Sequence, residues 1–120
     1  MAKQEEIISG LLLELRRGTI VLSVLSRLSS PTYGYSLVQE LSDNEIMIEA
    51  NTLYPLLRRL EKQELLKSEW ETSGTKPRKY YMLTELGTEV YRQLKQEWNT
   101  MVENMNQLMK EDKNHDGSII

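Results

Sequence analysis

Hydrophobic residues recur at helical spacing along the first part of the chain. Apolar positions three and four residues apart lie at Ile7, Ile8, Leu11, Leu12 and Leu15, and residues 20–28 form a further apolar segment. This periodicity predicts one long first helix over about residues 4–29. Because glycine weakens a helix interior, we expect a kink near Gly18 or, alternatively, two helices separated there. After a turn at residues 29–32, a short second helix is predicted, with Leu37, Val38 and Leu41 facing inward.

The strongest amphipathic pattern lies in residues 51–66. On a helix, an apolar stripe (Leu53, Leu56, Leu57, Leu60) lies opposite Asn51, Pro55, Arg58 and Lys62, with Thr52, Tyr54 and Arg59 on the flanks. Proline is tolerated in the first turn, so Pro55 predicts a helix start no earlier than residues 49–51. The polar face offers groups that contact phosphates and base edges in a DNA major groove. On its own, such a face is equally typical of a solvated surface helix.

Two alternating segments follow this helix, at residues 67–71 and 78–83, with turn-forming residues 72–77 between them. They predict a β-hairpin whose tip carries Lys76, Arg78 and Lys79. A helix followed by such a hairpin is the plan of a winged helix-turn-helix, in which the recognition helix enters the major groove and the wing lies along the neighbouring backbone. Tyr80 and Tyr81 alternate across the second strand, and we expect Tyr81 to face the core.

The last helix is predicted to begin after Thr84, its N-cap. Its apolar residues then recur in steps of three and four, as in a coiled-coil seam, at Tyr91, Leu94, Trp98, Met101, Met105 and Leu108. This helix and the long first helix have no remaining core to cover them, which predicts a homodimer. The expected organisation is therefore mainly α: a winged helix-turn-helix domain with a long N-terminal helix (1–83), a C-terminal dimerisation helix (84–111) and a disordered tail (112–120).

Composition and charge narrow the function. The 120 residues carry a net charge of −3, yet residues 58–79 hold seven cations against four carboxylates, and the balance reverses after residue 84. This segregation is what a local DNA footprint requires. The chain has no cysteine, which excludes disulfides and thiolate zinc sites. The longest uncharged apolar run, residues 18–26, is too short to span a bilayer, so we expect a cytoplasmic protein without membrane contact.

No residue constellation indicates catalysis, and we expect neither an enzyme nor a cofactor. The single histidine, His115, lies in the polar tail. Residues 112–117 match the first half of an EF-hand loop, but the bidentate glutamate of that loop would fall beyond residue 120, so no metal site is predicted.

Four motifs carry a family resemblance: Arg17-Gly-Thr-Ile20, Tyr33-Gly-Tyr35, Asn51-Thr-Leu-Tyr-Pro-Leu-Leu-Arg-Arg-Leu-Glu61 and Arg78-Lys-Tyr-Tyr-Met-Leu-Thr-Glu-Leu-Gly87. Together they resemble the PadR family of transcriptional regulators, and the single short C-terminal helix is similar to the small subfamily that includes multidrug-responsive repressors. The resemblance implies a dimeric repressor that binds an inverted-repeat operator in double-stranded DNA and is released by a small aromatic or planar ligand. Two departures stand out: an extra apolar segment at residues 7–12, and Glu49 where a serine or threonine is usual near the recognition-helix start.

The residue pattern and the resemblance together predict two sites. The DNA-binding residues are Tyr33, Asn51, Thr52, Tyr54, Arg58, Lys62, Thr75, Lys76, Arg78 and Lys79. Tyr33 is chosen over Tyr35 for a phosphate contact, and the other ring is expected to pack. The resemblance implies that Trp98 sandwiches the ligand, with Leu15, Thr19 and Val102 as neighbours; plain interface packing of Trp98 is the alternative. A winged-helix protein-interaction module that does not bind DNA is the alternative function, and its mark would be ion pairs between the cations and Glu61, Glu64, Glu69 and Glu71.

Overall fold

The computed structural model of the chain describes residues 2–114. Five helices and three strands follow one another in the order α1 (Ala2–Arg17), α2 (Ile20–Ser26), β1 (Thr32–Tyr33), α3 (Gly34–Asp43), α4 (Ala50–Lys62), β2 (Leu66–Glu71), β3 (Arg78–Leu83) and α5 (Glu85–Asn114). The predicted fold class is confirmed: a winged helix-turn-helix domain built on α2, α3, α4 and a small sheet, with a long helix at each end. No helix in the described part of the chain is long and apolar enough to cross a membrane.

The first helical segment is broken, so the prediction of one continuous helix is wrong and the two-helix alternative is correct. α1 ends at Arg17 and α2 begins at Ile20. At the break, both the backbone N–H and the hydroxyl of Thr19 donate to the carbonyl oxygen of Arg16, at 3.0 Å and 2.8 Å. The Thr19 hydroxyl thus satisfies a carbonyl at the end of α1 that would otherwise accept a helix hydrogen bond. The neighbouring glycine weakens the helix at the same place.

The three strands form one antiparallel sheet in the order β1-β3-β2. The β2–β3 hairpin pairs Leu66 with Leu83 at its base and Glu71 with Arg78 at its tip, as the alternation of residue types predicts. Strand β1 was not predicted from the sequence. Its two residues pair with β3 through Tyr33 and Tyr80, and two residues are too few to show a period of their own.

The core lies where α2, α3 and α4 pack against one face of the sheet. It is built from Val24, Leu25, Leu28, Leu37, Leu41, Leu53, Leu57, Leu60, Leu66, Tyr81 and Leu83. Tyr81 faces inward as expected. Leu56, the remaining member of the predicted α4 stripe, is only half-buried and packs at the edge of this core.

Helices α3 and α4 end in the same way, each with a glutamate in the left-handed conformation. Glu45 and Glu64 both have φ of 66°. In each case the N–H of the following residue donates to the carbonyl oxygen five residues earlier, from Ile46 to Leu41 at 2.8 Å and from Leu65 to Leu60 at 3.0 Å. These bonds define Schellman motifs, which usually hold glycine or asparagine at that position. The second motif ends α4 at Lys62, so Leu66 is the first residue of β2 rather than the end of the helix.

Helix α5 begins at the predicted cap. The backbone N–H of Gly87 donates to the Thr84 hydroxyl oxygen at 2.9 Å, and that hydroxyl donates to the carbonyl of Glu64 at 2.6 Å. The Thr84 side chain therefore connects the start of α5 to the end of α4. The helix continues to Asn114, three residues past the expected boundary at 111. The rest of the expected tail, including His115, lies outside the described residues.

Candidate nucleic-acid interface

Helix α4 has a buried face and a polar face, as its pattern predicts. Leu53, Leu57 and Leu60 are buried. The opposite face is exposed to solvent and carries Asn51, Thr52, Arg58 and Lys62. The amide and the hydroxyl near the N-terminus and the cations towards the C-terminus thus share one accessible surface, which is the arrangement that a recognition helix requires.

The start of α4 agrees with the predicted limit of residues 49–51, but Pro55 does not lie in the first turn. The helix begins at Ala50, so Pro55 lies in its second turn rather than its first. Because proline has no N–H, the carbonyl of Asn51 receives no helix bond from residue 55. Glu49 occupies the N-cap without a side-chain hydrogen bond to the helix, and the N–H groups of Thr52 and Leu53 bond to its carbonyl oxygen, each at 2.9 Å. The N-cap side chain therefore leaves the free N–H groups at this end of the helix without a capping hydrogen bond.

Tyr54 is half-buried and packs over the start of α3. Its ring lies so close to Gly34 that a Cβ added there would be 2.6 Å from Cε1 and 2.9 Å from the hydroxyl oxygen. The glycine of the Tyr33-Gly-Tyr35 motif thus lets the tyrosine of α4 approach the backbone of α3. This contact fixes the position of Tyr54 beside the polar face of α4.

Tyr33 lies inside a stack of side chains rather than at the free surface. Its ring stacks on Tyr35, with centroids 5.7 Å apart, and meets the ring of Tyr80 edge-on at 6.1 Å. The Arg78 guanidinium covers it, with Cζ 4.7 Å from the ring centroid, and Nη1 of Arg78 donates to the Tyr35 hydroxyl at 3.1 Å. This hydrogen bond raises the pKa of Arg78 above its ordinary value. Tyr35 is the more exposed ring (55%), so the expected division, in which Tyr33 reaches out and Tyr35 packs, does not match the exposures.

From the sequence, the hairpin cations were expected to lie together at the tip. In the structure they do not form one cluster. Successive strand residues point to opposite faces, so Arg78 lies with Tyr33 and Tyr35 on the outer face. Lys79 lies on the face towards α4, with Nζ 5.8 Å from the ring centroid of Trp70 and 5.5 Å from that of Tyr81. Lys76 and Thr75 are exposed in the loop between the strands.

A cleft separates the hairpin from the exposed side of α4, and we call it the wing cleft. Its volume is about 420 Å³, and its walls include Tyr54 and Arg58 from α4, Trp70 and Lys79 from the hairpin, and Tyr35 from α3. Sequence reasoning placed Tyr54, Arg58 and Lys79 in the interface but omitted Trp70 and Tyr35. The alternation of β2 carried the missing signal, since Trp70 stands on the same strand face as buried Leu66.

The cations around this cleft are not engaged by carboxylates. Among the side chains that the structure describes, ion pairs join Arg27 to Glu40 and Arg92 to Glu89 and occur nowhere in α4 or the hairpin.

The nearby carboxylates bond to hydroxyls instead. Glu61 accepts from Ser68 at 2.6 Å, and Glu69 accepts from Tyr80 at 2.7 Å, which raises the pKa of that tyrosine. Two hydrogen bonds from Ser73 lower the pKa of Glu71. The mark expected of a module that does not bind DNA is therefore not found in the described residues.

A second concave surface lies between α5 and the segment that joins the end of α1 to the start of α2, and we call it the helical groove. Its volume is about 680 Å³, and it brings together all four residues predicted for a ligand, Leu15, Thr19, Trp98 and Val102. Trp98 is 39% exposed within it.

The helices that flank the groove expose further apolar side chains. Helix α1 contains no buried residue and exposes Ile7, Ile8, Leu11, Leu12, Leu13 and Leu15. Of the predicted seam residues, Leu94, Met101, Met105 and Leu108 are exposed as well. Tyr91 instead packs partly against the core of the winged domain.

Comparison with known proteins gives a consistent result. The model of the transcriptional regulator PadR-like family matches residues 21–93. The crystal structure of a PadR family transcriptional regulator from Eggerthella lenta DSM 2243 is 50% identical, with a TM-score of 0.86 over 91% of this chain and 97% of that one. A PadR-like transcriptional regulator from Bacillus cereus is 28% identical, with a TM-score of 0.73 over 80% of this chain and 96% of that one. Bacillus subtilis PadR, crystallised with operator DNA, shares the fold at 20% identity, with a TM-score of 0.59 over 63% of this chain and 45% of that one.

Proposed function

The chain belongs to the PadR-like family of transcriptional regulators, and on that premise we propose that it is a homodimeric repressor that binds an inverted-repeat operator. The observation that carries the proposal is the set of exposed polar and cationic side chains of α4 and the hairpin, which have no carboxylate partners among the described residues. Unpaired cations beside a polar helix face suit a polyanion. The fold likeness to a protein crystallised with operator DNA agrees with this function.

Each predicted DNA-binding residue has a role in this proposal. Asn51 and Thr52 contact base edges from the start of α4, where the uncapped helix end also favours a phosphate. The cations of α4 and the wing contact phosphates, while Tyr33, Tyr54 and Thr75 position the two elements on the backbone. The phosphate-contacting set is Arg58, Lys62, Lys76, Arg78 and Lys79.

The proposed dimer rests on the exposed apolar faces of α1 and α5. Six large aliphatic side chains of α1 and five seam residues of α5 face solvent in a single chain. Exposed apolar surface on this scale marks an interface. A second copy offers the same two helices, so the copies can cover each other through an isologous contact. The two α4 helices then reach successive major grooves, with half-sites about one helical turn apart. In this arrangement residues 1–83 form the reading head and residues from 84 onward the dimerisation helix.

The helical groove supports a role for a ligand. A planar aromatic molecule would lie against Trp98, and the neighbouring methionines Met101 and Met105 would adapt to its outline. The groove is lined by α5, by the end of α1 and by the start of α2, so it includes parts of both helices proposed to hold the dimer together. A ligand there would change the separation of the two α4 helices and so release the operator.

DNA binding is tested by fluorescence anisotropy of a duplex from the protein's own upstream region, across a salt series, with a scrambled duplex for comparison. We expect sequence-selective binding with a steep salt dependence. In a variant with Lys76→Ala and Arg78→Ala, the slope falls by about two phosphate contacts. The matched control, Lys95→Ala with Lys110→Ala, removes the same charge from α5 and leaves the slope unchanged. A folded protein that binds neither duplex at low salt contradicts the proposal.

Ligand binding is tested separately with the Trp70→Phe variant, in which Trp98 is the only remaining tryptophan. A planar aromatic probe that does not intercalate into duplex DNA, such as 1-naphthol, is expected to quench Trp98 and to lower the anisotropy of bound operator DNA. Val102→Phe, which fills part of the groove without adding a tryptophan, weakens the quenching. If the probe leaves both signals unchanged over its soluble range, the Trp98 pocket is packing only.

A further inference from the structure

Three aromatic residues are exposed in the part of the chain that the structure describes. Trp70 is the most exposed of them, at 61%, against 55% for Tyr35 and 39% for Trp98. It stands on the strand face that packs against α4. On this face Leu66 is buried in the core, and the Ser68 hydroxyl donates to Glu61 of α4 at 2.6 Å. Trp70 is the next residue outward on the same face, so its indole lies beyond the packed part of α4, at the wing cleft.

The wing cleft combines flat apolar surfaces with positive charge. Three of its lining residues are cations, Arg58, Arg78 and Lys79, and none is a carboxylate. Lys79 pairs with Trp70 across the hairpin, and its ammonium lies near two aromatic rings. A ligand that suits this lining carries a negative charge next to a compact, weakly polar ring. A deoxyribose with its phosphate has this character.

The position of the cleft agrees with that ligand. α4 forms one wall and the wing the other. When a recognition helix lies in a major groove and the wing lies along the adjacent backbone, one DNA strand must pass between them. We propose that the wing cleft binds this sugar-phosphate strand, with the Trp70 indole against a deoxyribose and Arg58 and Lys79 on the flanking phosphates. This inference rests on the proposed DNA-binding function and assigns the cleft and Trp70 a role within it.

A purely structural role for Trp70 makes a different prediction. A cross-strand pair with Lys79 stabilises a hairpin whether or not DNA is present. In that case Trp70→Ala lowers stability slightly, and the indole stays equally open to solvent when DNA binds. Contact with a DNA strand instead shields the indole in the complex. Since sugars and phosphates are the same in every sequence, the contact also acts on all duplexes alike.

The affinity test uses the operator duplex and a scrambled duplex at several salt concentrations. Trp70→Ala weakens binding to both by a similar factor, about tenfold, while Trp70→Phe, which keeps an aromatic face, loses about threefold. The salt slope is unchanged in both variants because no charge is removed, whereas Lys79→Ala lowers the slope by about one. Lys67→Ala, which removes a cation from the other face of the hairpin base, leaves affinity and slope unchanged.

The shielding test uses full-length protein carrying Trp98→Phe, so that Trp70 is the only tryptophan. Quenching of its fluorescence by acrylamide, a neutral quencher, is expected to fall by at least about half when a saturating duplex is added. This measurement needs no substitution at Trp70 and therefore holds even if Trp70→Ala folds poorly.

The outcomes separate the two proposals. If labelled duplex binds but acrylamide quenches Trp70 equally with and without DNA, or Trp70→Ala binds as tightly as the parent, Trp70 does not contact DNA. The wing-cleft inference is then overturned while the repressor proposal stands. If neither the parent nor any variant binds a duplex at low salt, the DNA-binding function itself fails and the inference fails with it.

Discussion

The contact between Gly34 and Tyr54 allows a sharp test of how the interface is positioned. A Cβ at residue 34 would lie 2.6 Å from Cε1 of Tyr54, and ordinary van der Waals contact begins at 3.4 Å. In Gly34→Ala the ring must therefore retreat by about 1 Å towards the wing cleft. Overpacking of this kind costs about 1–3 kcal/mol of unfolding free energy. Helix propensity alone would favour alanine at the first residue of α3 and would raise the unfolding free energy. The sign of the change in unfolding free energy therefore distinguishes overpacking from helix propensity.

Urea unfolding of a double-mutant cycle measures this contact. Gly34→Ala is expected to destabilise the parent but to cost little in a Tyr54→Ala background, where the space is empty. The coupling free energy should be at least about 1 kcal/mol. Gly74→Ala is the matched control, because nothing lies within 4 Å of a Cβ there. Equal losses in both backgrounds would refute the reasoning, as would a stabilising Gly34→Ala.

Three further predictions concern stability. Gly87→Ala places a Cβ 2.0 Å from the carbonyl oxygen of Leu65, a backbone atom that cannot swing aside, so the urea midpoint should fall by an amount equivalent to about 3 kcal/mol; a loss below about 1 kcal/mol contradicts this close approach. Glu64→Gly relieves a left-handed φ and should raise the unfolding free energy by about 1 kcal/mol, and a destabilised variant would show that the glutamate side chain matters more than its backbone. Burial raises the pKa of Tyr81, so the unfolded chain loses its phenolic proton first. The stability this group contributes is complete below about pH 10 and is lost as pH rises through the raised pKa. Tyr81→Phe should reduce the fall in unfolding free energy at alkaline pH. An unchanged pH profile would show that deprotonation of Tyr81 does not cause this fall.

Features that depend on neighbours in sequence were predictable. The hairpin strand at residues 78–83 matches its alternation, and Thr84 caps α5 because a hydroxyl one residue before a helix can reach its first turn. The polar face of α4 also follows from its period. In each case the pattern extends over enough residues to stand out from chance.

Features that depend on tertiary neighbours could not be predicted from the sequence. Strand β1 exists only because Tyr33 meets Tyr80 of β3. Glu64 occupies a position where glycine or asparagine is expected, since Thr84 and the following strand hold the backbone there. The position of Trp70 in the wing cleft was missed because the sequence shows which strand face Trp70 occupies but not which edge of α4 lies near it.

Hydroxyl-radical footprinting of the protein on its own upstream DNA tests the central claim most directly, because it reports contact, symmetry and spacing together. A symmetric dimer is expected to give short protected blocks related by a two-fold axis, with half-site centres about ten base pairs apart and protection extending to the backbone under each wing. Uniform protection along the fragment, or none at concentrations where the protein is folded, would contradict sequence-specific binding by a symmetric dimer.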